Sequence, residues 1–228
     1  LIIIQALVIR EWCLWCVLSA ITSIALLIAS GAAMGGNLNI FLLEYKMIIV
    51  ILHALSAALG VGTVLVTDVF FMKFLKDYKI SVSESDVLDT LSQIVWFALG
   101  MLILTGVALY IPTAAEYLAK TKFIAKVFIV GVIAVNGVLL NLLVAPKLVK
   151  ISFGEESVDH PGELHHLRKM AFAFGGVSIV SWLATFVLGS VRSIPLSVGA
   201  ILGIYILLVL AAVIGSQIFD YKVTRHKL

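Results

Sequence analysis

Hydrophobic residues in this chain do not alternate with polar ones; they come in long runs separated by short charged or glycine- and proline-containing stretches. The runs predict helices near 12–31, 42–74, 88–112, 121–146, 164–190 and 195–220, each long enough for the ~20 apolar residues of a bilayer crossing. Breaks coincide with chemistry that ends helices: GAAMGGNLN closes the first run, and Pro112, Pro146 and Pro195 stand at or beside predicted ends. The opening LIIIQALVI is too short to cross alone and reads as the tail of a helix that begins upstream. It has no charged leader or small-residue cleavage site before Arg10, so it does not read as a signal peptide. The expected fold is an all-α polytopic membrane protein, a helix bundle of six spans after a truncated N-terminal helix.

Composition agrees with the pattern. Of 228 residues 62% are hydrophobic and only 13% charged, with a mean hydropathy of +1.15; an ordinary soluble domain carries about a quarter charged residues. Lipid is the expected environment, and nucleic acid is not an expected partner. Because successive spans reverse direction, the long polar loops 75–87 and 147–163 share one membrane face with Arg10 and the tail DYKVTRHKL. Most of the lysines and arginines lie there, and the positive-inside rule would make that face cytoplasmic.

Both cysteines fall in REWCLWCVLSA, at the mouth of the first span. Cys13 and Cys16 stand at Cys-x-x-Cys spacing where the helix N-terminus stabilises a thiolate, which is how a redox pair is built. Two incidental buried cysteines would give the same letters. Zinc is not expected, since the chain has no further cysteine and its histidines lie far along the sequence. Trp12 and Trp15 are either stacking surfaces for a flat ligand or an interfacial aromatic belt.

The segment LIIIQALVIREWCLWCVLSAITSIALLI resembles the third helix end, turn and fourth helix of the bacterial vitamin K epoxide reductase family, with Gln5, Trp12, Cys13, Trp15, Cys16, Ser19 and Ala20 in place. The resemblance implies that Cys13 exchanges disulfides with a thioredoxin-like thiol partner and that Cys16 faces a quinone held beside Trp15 and Ser19. It also implies an oxidising, extracytoplasmic location for the cysteines in a bacterial plasma membrane, opposite to the charge rule; we expect the cysteine face to be outside. In that family two further helices with a loop cysteine pair precede this point, so a complete site is expected to need residues before Leu1. Residues 1–34 would then be a partial redox domain and 35–228 an appended five-helix module.

The second helix, EYKMIIVILHALSAALGVGTVLVTDVFFMKFLKD, buries two ionisable groups, His53 and, deeper, Asp68. Such groups are costly in a bilayer and are functional suspects by default. From His53 the positions Ser56, Gly60, Thr63 and Thr67 form one small, weakly polar face, suited either to close helix packing or to a flat ligand. Asn136 falls within ~5 Å of the same depth, counted at ~1.5 Å per residue from Lys126 as His53 is from Lys46, so the two could share a site. The Lys-x6-His-x6-Gly pattern, Thr105-Gly106 and Lys-x3-Lys-x9-Asn resemble the membrane modules of copper-resistance-D-like proteins and membrane protoporphyrinogen oxidases, which hold haem b through histidines. Where those families place a second histidine this chain has Asn136, so the resemblance implies one histidine ligand, with haem b as first candidate and quinone as second.

The stretch EESVDHPGELHHLRK groups His160, Glu163, His165 and His166, a set that could take a divalent metal or simply form a solvated helix start; no metal is expected. Two function classes result. One is a thiol–quinone oxidoreductase with an appended haem- or quinone-binding module. The other is a non-catalytic membrane subunit or scaffold of a larger complex, whose partner face would be Gly175, Ser178, Trp182, Thr185 and Gly189.

Overall fold

The computed structural model describes residues 38–74, 81–144 and 161–225. The predicted 12–31 helix lies outside the described residues, as do parts of both long loops. Every regular element among the described residues is helical, with no strand. In chain order they are α1 (Leu38–Glu44), α2 (Lys46–Phe74), α3 (Val82–Tyr110), α4 (Ala114–Leu118), α5 (Thr121–Leu139), α6 (Pro161–Ser190) and α7 (Val198–Arg225). Five stretches are long and apolar enough to cross a membrane: Lys46–Lys73, Ser83–Leu118, Thr121–Val144, Lys169–Ser190 and Val198–Ile218.

The helix ends are set by local polar chemistry. α3 begins six residues before the predicted start of 88 because Ser81 and Glu84 form a capping box: Ser81 N–H donates to Glu84 Oε2 at 2.8 Å and Glu84 N–H to Ser81 Oγ at 3.3 Å. α6 opens on Pro161, whose missing N–H costs nothing in a first turn. α7 starts after Ser197, whose Oγ accepts the Ala200 N–H at 3.2 Å, and so begins later than the predicted 195. At the far end of α3 the chain tightens into a 3-10 turn, Ile111–Thr113, around Pro112. The predicted 121–146 helix is α-helical only to Leu139 and continues as a π-helical turn over Leu140–Val144.

The chain divides into two compact units. The first comprises Leu1–Gly60 and Ser92–Ala119, so its described part is α1, the start of α2, the later part of α3 and α4. There α1 packs beside the Ile111–Thr113 turn, and Leu42, Ala98, Leu99 and Leu102 are buried.

The second unit comprises Val61–Leu91 and Lys120–Leu228. Its core is Ala125 and Ile129 of α5, Leu188 of α6, and Ile201 and Tyr205 of α7. α6 and α7 pack as a hairpin across the 191–197 connection. At Gly176 they come so close that an added Cβ would stand 3.4 Å from the Ala212 backbone. Lipid offers little hydrophobic drive for helices to associate, so close packing and hydrogen bonds across helices carry more of the specificity. Ser181 Oγ donates to Val177 O at 2.6 Å and accepts from the Tyr205 hydroxyl at 2.8 Å, joining α6 to α7. Lys122 Nζ donates to the carbonyls of Val191 and Arg192 at 2.7 and 3.0 Å, closing the end of α6.

The outward surface is apolar. Met47, Leu142 and Leu207 each expose about two thirds or more of their area, an arrangement that water penalises and acyl chains accept. Lipid contact follows from these faces.

Candidate functional site

Cys13, Cys16, Trp15 and Ser19 lie outside the described residues, as does Trp12. The side chains of His160, Glu163, His165 and His166 lie outside them too. Among the described residues no group of three or more His, Cys, Asp or Glu side chains is close enough to hold a metal ion. The two site residues that can be placed are His53 and Asn136.

His53 sits in the first unit on the α2 face drawn from the sequence. That face is the helix's inward side: Ser56, Gly60 and Thr63 are buried, and the hydroxyls of Ser56 and Thr67 donate to carbonyls one turn back, Leu52 O and Thr63 O, each at 2.7 Å. These hydroxyls are satisfied by their own helix, as packing requires. His53 Nδ1 lies 2.9 Å from Thr105 Oγ1 of α3. Thr105 Oγ1 in turn stands 2.6 Å from Met101 O, and a carbonyl has no proton to give, so the threonine hydrogen is spent there. The His53–Thr105 hydrogen therefore comes from the imidazole. The contact ties the ring to α3 through Nδ1. Gly106, beside Thr105, lets the ring lie close to the α3 backbone; a Cβ there would stand 3.5 Å from His53 Cε1.

Asn136 belongs to the second unit. It is buried, and its Nδ2 donates to Phe174 O at 3.1 Å, binding α5 to α6. That bond occupies part of its carboxamide and gives the residue a packing role of its own.

Asp68 is the less expected feature. Its Oδ2 is buried and has no hydrogen-bond partner, the only carboxylate oxygen among the described residues in that state. It lines a cleft of about 310 Å³ in the second unit, together with Phe71, Phe172, Gly175, Gly176 and Ser216. The rings of Phe71 and Phe172 meet edge to face with centroids 5.7 Å apart. The sequence signal for Asp68 is plain, an acid inside an apolar run. The cleft is not written there, because its walls come from three distant segments.

Only part of the α6 face assigned to a partner in the scaffold reading is covered by the chain itself: Trp182 and Thr185 are buried and Gly175 lies against Asp68, while Ser178 is half-buried and Gly189 is exposed. Trp182 nevertheless keeps its indole N–H without an acceptor.

Fold and site together define an all-α, multi-pass integral membrane protein with a histidine and a carboxylate inside its spans. Comparison with protein-family models, with curated proteins and with solved structures found no match.

Proposed function

We propose that this chain is a membrane thiol–quinone oxidoreductase with an appended membrane module that binds a redox ligand at His53. In the proposed reaction the Cys13 and Cys16 thiols become a disulfide, and the two electrons and two protons they give up convert a quinone to a quinol. Cys13 then passes the disulfide to a thioredoxin-like partner by thiol exchange, and Trp15 and Ser19 border the quinone. The reading rests on REWCLWCVLSA for the cysteines.

The ligand role proposed for His53 rests on one structural observation, the chain of contacts from His53 Nδ1 to Thr105 Oγ1 and from Thr105 Oγ1–H to Met101 O. A hydrogen-bond partner that fixes the ring plane is what metal-ligating histidines use. An imidazole held in this way would suit a nitrogen ligand for haem b, and equally a hydrogen-bond partner for a quinone. Haem, when bound, would supply one-electron redox chemistry. His53 would hold it through its imidazole, Thr105 would keep the ring in place, and Gly106 would leave room for the imidazole against α3.

The experiment is to purify the protein without stripping lipid and measure a reduced-minus-oxidised spectrum and the extracted quinone. A Soret band lost in His53→Ala, with the fold retained, supports haem. A colourless protein whose quinone content falls in His53→Ala supports quinone. Equal porphyrin and quinone contents in wild type and His53→Ala sink the ligand role of His53.

A further inference from the structure

We infer that the Asp68 cleft is a binding site for a protonated amine with an apolar body, with the Asp68 carboxylate as its counter-ion. The argument starts from what the carboxylate lacks. An ionised acid taken out of water costs several kcal/mol unless it is paired and hydrogen-bonded, yet Asp68 Oδ2 is buried with no donor. Among the residues whose side chains are described, no lysine, arginine or histidine pairs with it.

The cleft's own polar groups have no hydrogen to offer. Ser216 Oγ, the hydroxyl in its wall, donates to Val213 O at 2.8 Å, and Thr67 Oγ1, next to Asp68 in sequence, donates to Thr63 O at 2.7 Å. The donor to an ionised Asp68 must then come from whatever fills the cleft. A neutral hydroxyl would satisfy Oδ2 and leave the acid to shed its charge by protonation, whereas an ammonium both donates to Oδ2 and holds the carboxylate ionised.

Shape and lining select the rest of the ligand. A volume of about 310 Å³ is at the small end of ligand pockets and far too large for a bare metal ion, which would in any case find one carboxylate and no other strong ligand here. The walls are apolar, and Phe71 and Phe172 offer aromatic surface that attracts a cation as well as a hydrocarbon. Glycine keeps the space open. A Cβ at Gly175 would stand 3.1 Å from Asp68 Oδ1, whereas one at Gly215, also in the cleft wall, meets nothing within 4 Å, so a side chain can be started there in open space.

The site is separate from the thiol–quinone reading, and amine binding should survive replacement of both cysteines. The test uses the full protein in nanodiscs of zwitterionic lipid, with radiolabelled N,N-dimethyl-3-phenylpropylamine as probe and its uncharged carbon isostere as control. The amine is expected to bind saturably and to lose at least ~tenfold in affinity in Asp68→Asn, which keeps the side-chain shape. The isostere should bind weakly and equally to both. Gly215→Leu should exclude the amine while Asp68 remains, and it carries the test should Asp68→Asn fail to fold. Equal binding of amine and isostere by the wild type, or unchanged amine binding in either variant, overturns the assignment. So does displacement of the amine by a short-chain quinone as effectively as by unlabelled amine, which would make the cleft a site for neutral ligands.

Discussion

The orientation of the His53 ring depends on one hydroxyl, that of Thr105, which takes the imidazole hydrogen and gives its own to Met101 O. Thr105→Val keeps the volume and leaves a part-buried Nδ1–H without its acceptor, a loss of about 1–3 kcal/mol. We expect a lower unfolding temperature for Thr105→Val and near-recovery in Thr105→Ser, measured by thermal unfolding in detergent; equal temperatures for the three proteins would mean that the contact carries no stability. Gly106→Ala should be tolerated, because its Cβ would meet His53 Cε1 at an ordinary 3.5 Å. Gly106→Leu should displace the ring and lower the content of whichever ligand the wild type retains. The residue scale is also where the sequence was most and least informative. His53, Asp68 and Asn136 stand out in it because polar groups in apolar runs are conspicuous. Their surroundings do not: Thr105, the Phe174 carbonyl and the glycines at 175 and 176 reach them only through tertiary packing.

At the scale of elements, hydropathy located the interiors of the spans and capping chemistry set their ends. SVSESD is too polar to count toward an apolar run, yet its Ser81 and Glu84 begin α3 at Val82. Ser81→Ala should cost about 1 kcal/mol and fray that first turn. Hydrogen exchange at the amides of residues 83–85 reads it directly, and unchanged protection would show the cap to be idle. The π-helical turn over Leu140–Val144 had no signature that a period of apolar residues could reveal, since one extra residue per turn leaves the composition untouched. Between helices, Tyr205→Phe removes the hydroxyl donated to Ser181, and bonds of this kind within membranes average about 0.6 kcal/mol. A shift in unfolding free energy well above 2 kcal/mol would mean the α6–α7 seam depends on that bond far more than packing suggests.

For the whole molecule, the all-α polytopic class was legible from the first pass, because nothing but long apolar runs separated by polar breaks is present to be read. The division into two units was not. Its boundary crosses α2 and α3 near Gly60 and Ser92, inside helices that the apolar pattern reads as continuous from 42 to 74 and from 88 to 112. Orientation remains tied to the proposed chemistry. If the cysteine face is extracytoplasmic, then the 191–197 connection, on the opposite face, is cytoplasmic. A cysteine placed at exposed Ser193, in a background lacking Cys13 and Cys16, should resist a membrane-impermeant maleimide in intact cells and react after permeabilisation. Labelling in intact cells would restore the positive-inside orientation and remove the oxidising compartment that the disulfide chemistry needs.

The most direct test of the thiol–quinone account is to count thiols and quinol together in the full-length protein. Reduced protein in liposomes is given excess quinone, then quenched and tagged with a mass-shifting maleimide while quinol is followed by its absorbance. The account predicts that Cys13 and Cys16 both lose their tags as one quinol forms per chain, and that Cys16→Ala abolishes quinol formation. It also predicts that Cys13→Ala still binds quinone but no longer exchanges with a partner thiol. Full tagging of both cysteines after quinone addition, with no quinol formed, would contradict it.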